Sequence, residues 1–306
     1  MNGASGEKVV HTRSFVVEGH AIAARSLSPA LYIVATPIGN LGDMTLRALH
    51  VLAAADIVAC EDTRVSAVLL RHYGISARLV AYHDHNAAAQ RPKLLEALAA
   101  GESVALISDA GTPLVSDPGY RLVAAARDAG HDVVPIPGAS SVLAALVVAG
   151  LPSDRFLFAG FLPPKRVARV KRLEELAPIP ATLVFFETGP RVGAALADMA
   201  AVLGDREAAV ARELTKAFET VRRGTLAVLA GEFADKPPKG EIVVVVGPPA
   251  AGAASPEDAD RVLLELLREK SVGEAASEAA TLTGLKRNDL YRRALALKTA
   301  ADDSDE

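Results

Sequence analysis

The chain has 306 residues, half of them hydrophobic, and its 33 Lys and Arg against 37 Asp and Glu leave a net charge of −4. That length accommodates two domains, or two and a small appendage, and the slightly acidic balance excludes a broad nucleic-acid-gripping face, so any such grip must be local. The single Cys60 excludes a disulfide framework and a cysteine-rich zinc site, and the longest apolar run, Val142 to Leu151, falls far short of the ~18 residues that span a bilayer. No metal is expected, and a cytoplasmic protein is.

Residues 1–29 carry charges and His without the apolar core of a signal peptide and read as a loosely ordered extension. From residue 31 strands and helices alternate. Tyr32–Ala35, Ile57–Cys60, Leu79–Ala81, Val104–Ile107 and Val133–Ile136 read as short buried strands, with helices over Thr45–Ala54, Asn86–Ala100 and Tyr120–Ala129. Such alternation predicts a parallel sheet covered on both faces. Pro137-Gly138-Ala139-Ser140-Ser141 reads as a joint, because Gly and Pro end the strand and either serine caps the next helix. A second set follows, with strands over Phe156–Gly160, Thr182–Phe186, Ala208–Arg212 and Ile242–Val246 and helices near 166–177 and 190–203. After a small-residue linker at 250–255, three short helices are predicted over Pro256–Lys270, Val272–Thr281 and Lys286–Lys298, with the glycine turn of a helix-turn-helix between the last two.

The chemistry-bearing residues gather where strands end. Val104–Ile107 runs into Ser108-Asp109-Ala110-Gly111-Thr112-Pro113 and then a second Asp-Pro-Gly at Asp117 to Gly119. A stiff loop with a glycine for close approach and a carboxylate at its tip suits a ligand cleft beyond parallel strands. Asp117 reads as a cap of the following helix. The loop Thr36-Pro37-Ile38-Gly39-Asn40-Leu41-Gly42-Asp43 is neither GxGxxG nor a P-loop, so it fits an adenosine-bearing ligand without a triphosphate better than a dinucleotide or ATP. Asp43 reads as a cap for the helix after it. Glu61 and Asp62 end the second strand, with Asp62 or Thr63 able to cap a helix, and Tyr82-His83-Asp84-His85-Asn86 ends the third, where substrate contact or a cap at Asn86 is expected. Residues 161–172 hold Lys165, Arg166, Arg169, Lys171 and Arg172 with no acid, a local phosphate footprint; Arg191, Lys286 and Arg287 complete the candidate RNA-binding set.

In this order TPIGNLGDMTLRAL, ACEDTR, LISDAGTPLVSDPGY, PGASS, GLPSDRFLFAGFLPPK, FFE, ARELTKAFE and KGEIVVVVG resemble the ribosomal small subunit methyltransferase I family, of the tetrapyrrole-methylase-like superfamily. The resemblance covers roughly residues 31 to 298. It implies an α/β protein with two α/β domains of the tetrapyrrole methylase type, at 30–138 and 139–249, and a small C-terminal helical domain at 250–306. It also implies a homodimer that uses S-adenosylmethionine to methylate the 2′-hydroxyl of a cytidine in the decoding region of 16S rRNA, with the small ribosomal subunit as partner. Pro37, Gly39, Asp109, Ala110, Gly111, Ser140 and Gly240 would then surround the cofactor. Two positions depart from the family's pattern: Pro190 stands where relatives often have His, and Pro137-Gly138-Ala139-Ser140-Ser141 replaces PGPSA or PGPCA.

The sulfonium methyl is already electrophilic, so placement of the ribose oxygen supplies most of the acceleration, ~7–11 kcal/mol for well-oriented reactants. Glu61, Asp62, Glu187, Glu213 and Lys216 are candidates for contact with the hydroxyl, and Lys216 and Glu213 are the pair selected. A chain with no Trp has a poor stacking platform for free single strands, which favours a folded ribosomal surface. Two other readings remain: a methyltransferase acting on a tetrapyrrole-like small molecule, and a non-catalytic ligand sensor that binds DNA through its C-terminal helices.

Overall fold

The computed structural model describes residues 13–234, 237–249 and 256–302. Part of the expected loose extension, and the expected linker at 250–255, lie outside them. Within the described part of that extension, order replaces the looseness expected: β1 (Ser14–Val17) and β2 (His20–Ala23) form an antiparallel hairpin. Phe15 is its anchor. Its ring is fully buried in the core beneath the first sheet and meets His50 edge to face, and Val17, Ile22 and Ala24 pack beside it, which is why the segment holds a fixed place.

The first sheet comprises β3 (Leu31–Val34), β4 (Ile57–Cys60), β5 (Leu79–Ala81), β6 (Val104–Ile107) and β7 (Val133–Ile136) in the order β5-β4-β6-β3-β7, every pair parallel. Its central strands are continuous apolar runs because both faces are covered. Alternate residues serve opposite cores. Tyr32, Val34, Val58, Cys60, Ala105 and Ile107 face α1 (Leu46–Ala54), α2 (Thr63–His72) and the hairpin. Leu31, Ile57, Ala59, Val104 and Leu106 face α3 (Ala87–Ala99) and α4 (Tyr120–Asp128). The cap of α1 is Thr45 rather than the expected Asp43, its hydroxyl accepting from the Ala48 amide.

Ser140 caps α5 (Ser141–Ala149), accepting from the Leu143 amide, and the chain enters a second sheet. Its strands are β8 (Phe156–Phe161), β9 (Thr182–Thr188), β10 (Glu207–Arg212), β11 (Thr220–Thr225) and β12 (Glu241–Val246), in the order β11-β10-β12-β9-β8. Only β8 and β9 run parallel; the other pairs are antiparallel, so strand–helix alternation does not extend a parallel sheet through this half. Helices α6 (Arg166–Leu176), α7 (Gly189–Leu203) and α8 (Leu226–Glu232) cover one face and α5 the other. Ile38 and Val115, from loops of the first sheet, join the α5-side core. That contact docks one sheet's carboxyl edge against the other. The remaining helices, α9 (Pro256–Leu267), α10 (Val272–Thr283) and α11 (Arg287–Asp302), share a core of Leu263, Ala276, Ala279 and Leu290. Gly284, left-handed at φ 68°, closes α10.

Candidate functional site

A cavity of about 330 Å³ lies where the two sheets meet, within the size range of small-ligand sites. The loop after β6 forms one wall. Thr36 and Gly111 exchange backbone hydrogen bonds of 2.9 and 3.1 Å, tying it to the loop after β3. The Ser108 hydroxyl bonds back to the Ala110 and Gly111 carbonyls at 3.2 Å, and Thr112 Oγ1 donates to the Ala139 carbonyl at 3.1 Å. Leu114 and Ser116 hold φ of 74° and 62°. Two non-glycine residues in that region are costly unless their surroundings enforce it, and such strain clusters at functional sites.

Asp109, Ala110, Gly111, Ser140 and Gly240, five of the residues expected at a cofactor, line this cavity. Pro37 and Gly39 are not among its lining residues. Gly39 serves another purpose: a Cβ there would stand 2.4 Å from Lys216 Cγ, so the glycine lets the lysine stem cross the loop. Gly240, at φ +99°, likewise leaves room for Glu213, whose Oε1 a Cβ would meet at 2.3 Å. Lys216 Nζ lies 3.0 Å from Glu213 Oε1 and 2.8 Å from Glu241 Oε2. Hydrogen bonding to Glu241, then to Glu213, raises the lysine pKa, while the Lys216 ammonium holds Glu213 below the usual carboxylate range. Neither residue lines the cavity; Glu241, which Lys216 grips, does.

Asp117 is a correction. Helix α4 starts from Gly119 with no side-chain cap, and Asp117 instead sits in the cavity wall. Burial, then Glu61, push its carboxyl up to about 6. Asp62 is the residue that caps: it opens α2, accepts from the Arg64 amide at 2.8 Å, and pairs with the Arg64 side chain, which brings its pKa down to about 2. Asn86 makes no side-chain cap; its Oδ1 accepts from the His83 amide at 2.9 Å.

Sequence reasoning missed Glu241 altogether, and with it the cavity's apolar wall of Ile38, Leu214, Phe161 and Phe186. The two phenylalanines meet edge to face at 5.4 Å. Asp109, Asp117, Glu187 and Glu241 line the cavity, Glu187 and Glu241 paired with Arg191 and Lys216 behind the wall, and no Lys, Arg or His lines it among the described residues. An acidic rim on an apolar floor suits a ligand with a cationic centre and an apolar body.

Residues 30–230 match the family of Tetrapyrrole (Corrin/Porphyrin) Methylases, and residues 253–298 match the RsmI C-terminal HTH domain. A protein of Mesorhizobium japonicum named Ribosomal RNA small subunit methyltransferase I is 61% identical over 93% of this chain and 97% of its own length. Its namesake in Escherichia coli O157:H7 is 48% identical over 87% of this chain and 94% of its own. The chain belongs to the ribosomal RNA small subunit methyltransferase I family. Solved structures extend the likeness in fold alone. The methyltransferase CobJ superposes with TM-score 0.55 at 19% identity, covering 72% of this chain and 94% of that one. A uroporphyrin-III-C-methyltransferase from Thermus thermophilus superposes with TM-score 0.51 at 24% identity, covering 71% and 93%.

In this member of the methyltransferase I family the basic run divides in two. Arg169 is buried and bonds Asp198 at 2.6 Å, and Arg166 shares that carboxylate at 3.0 Å. The pairing fixes α6 to α7, which makes Arg169 a packing residue and corrects its place in the candidate RNA-binding set. Arg172 pairs with Glu175, and Arg191 with the buried Glu187 and the Leu162 carbonyl. Lys165, Lys171, Lys286 and Arg287 are exposed. Among the described residues no helix is long and apolar enough to cross a membrane.

Proposed function

We propose that this protein is an S-adenosylmethionine-dependent methyltransferase that methylates a cytidine 2′-hydroxyl in the decoding region of 16S rRNA. The 61% identity over 93% of the chain to a relative named for small-subunit rRNA methylation carries the reading, and the cavity between the sheets, with Asp109 and Asp117 on its wall and an apolar floor, fits the donor. The two α/β domains at 30–138 and 139–249 close around the donor, and the helices after residue 250 add contact to the small subunit. The working unit is a cytoplasmic homodimer.

The donor supplies a sulfonium methyl for in-line transfer to the ribose oxygen. Asp109, Asp117 and Glu241 offset its positive charge, and Ala110, Gly111, Ser140 and Gly240 let backbone approach its polar edges. Ile38, Leu214 and the Phe161–Phe186 pair exclude water from its apolar part. Lys216, held protonated by Glu213 and Glu241, donates a hydrogen bond to the acceptor oxygen and offsets its growing negative charge. Glu213 would take the hydroxyl proton and pass it to water, while the donor, giving up its methyl from sulfur, would leave as a neutral thioether. Lys165, Lys171, Lys286 and Arg287 contact phosphates outside the cavity.

The test is transfer of labelled methyl to small subunits from cells lacking the gene, with nucleoside mass spectrometry locating the label. Ribose-methylated cytidine is expected, and Lys216→Met should lower kcat by roughly 10²-fold while the donor Kd holds. Absence of label from wild-type protein would overturn the reading.

A further inference from the structure

A second concavity, of about 440 Å³, opens between α3 and α4 and is lined by Tyr82, Asp84, Arg91, Asp117, Tyr120 and Arg121 among others. It shares Asp117 with the donor cavity, so its contents lie against the same wall from the other side. Three independent features suit it to an anion. Helix α4 begins there with no side-chain cap, and the Tyr120 and Arg121 amides have no acceptor among the described residues. A free helix N-terminus favours a phosphate. Arg91 and Arg121 both line the concavity and form no ion pair among the described residues, whereas Arg191 and Lys216 are matched to carboxylates. Tyr82 is 1% exposed, and its hydroxyl, which makes no hydrogen bond to the described residues, is not sealed in the core but borders the concavity. A phenol whose ring is packed away and whose hydroxyl opens beside two arginines can donate to an anion held there.

We propose that this concavity is a phosphodiester subsite, holding the RNA strand that flanks the acceptor ribose. The inference rests on the rRNA reading above and deepens it. Arg91, Arg121 and the α4 amides take the phosphate oxygens, Tyr82 donates its hydroxyl to one of them, and the exposed Tyr120 ring offers a face to a base. Asp84 and Asp117, on the same wall, accept from ribose hydroxyls and keep a second phosphate off it. Arg91 and Arg121 share this lining with Asp84 and Asp117 yet form no ion pair among the described residues, which leaves their guanidiniums available to a phosphate.

The test uses the full chain, labelled donor and unmethylated small subunits. The double variant Arg91→Gln/Arg121→Gln should raise KM for subunits roughly tenfold or more with kcat and donor Kd unchanged. The slope of log affinity against log salt should become shallower by about 0.7 for each phosphate no longer neutralised. Tyr82→Phe, which keeps the ring packing, should raise KM by roughly threefold. If wild-type protein methylates subunits but neither KM nor the salt slope moves in these variants, the subsite is wrong while the rRNA reading stands. If inorganic phosphate binds the concavity and the subunit KM is still unmoved, the site is one for a free anion and the RNA assignment falls. If wild-type protein labels nothing, both fall.

Discussion

Burial and the neighbouring Glu61 and Asp109 raise the Asp117 carboxyl to about 6, where an exposed aspartate sits near 4. The folded state therefore holds a proton that the unfolded chain has released between those two values. This carboxyl's contribution is favourable below about pH 4 and is lost as pH rises through 6. Asp117→Asn should match the wild type in urea unfolding at about pH 3.5 and exceed it by about 1 kcal/mol at about pH 8, a value discounted for partial exposure. A cationic donor reverses the preference and favours the ionised form. Donor affinity measured by calorimetry should tighten as pH rises through 6 in the wild type and stay level in Asp117→Asn. The sequence located Asp117 in the correct loop but assigned it the wrong task, because the spacing of Asp-Pro-Gly before a helix fits a cap. Nothing in that spacing reports that Glu61, far earlier in the chain, stands beside it. Gly39 and Gly240 carry the same lesson: a glycine in a loop is legible, but the side chain that needs its space, Lys216 or Glu213, belongs to another segment.

Between elements, the Arg169–Asp198 pair is an enclosed electrostatic link, both side chains being 7% exposed. Removing one partner strands a buried charge, which costs far more than a surface pair is worth. Arg169→Met should lower unfolding free energy by about 3 kcal/mol, while Lys171→Ala, on the same helix but exposed, should change it by less than about 0.5 kcal/mol. Urea titration of the two variants makes the comparison; an Arg169→Met protein as stable as wild type would return that arginine to the RNA-binding set. The strands of the first sheet were legible almost residue for residue because doubly covered parallel strands are unbroken apolar runs. Strand β11 was not. Its sequence TVRRGT is an edge strand with exposed arginines, and edge strands are kept polar to prevent unwanted pairing. The β1–β2 hairpin was missed for another reason: SFVV and HAIA are only four residues each, and of their apolar side chains Phe15 alone is fully buried.

At the scale of the molecule, the lining of the cavity between the sheets ends at Val243, and α9, α10 and α11 bury their own apolar faces against one another. Removing residues 250–306 should therefore leave donor affinity within about twofold of the full chain while KM for small subunits rises roughly tenfold, because the tethered phosphate contacts go with the helices. Calorimetry and methyl-transfer kinetics on the truncated chain separate these two effects; a lost donor site would show that the helices belong to the fold of the body. The sequence by itself determined the helix and strand inventory of the first sheet, the strand-end loops that build the cavity, and the family, because local apolar patterning and short motifs are written in neighbouring residues. The tertiary structure alone decided which cations are free and which are paired. It also turned most of the second sheet antiparallel, placed Glu241 and Asp117 on the cavity wall, and gathered Tyr82, Arg91 and Arg121 at a second opening. Each of those outcomes depends on charges and surfaces that lie far apart along the chain and acquire their meaning only when packing brings them within a few ångströms.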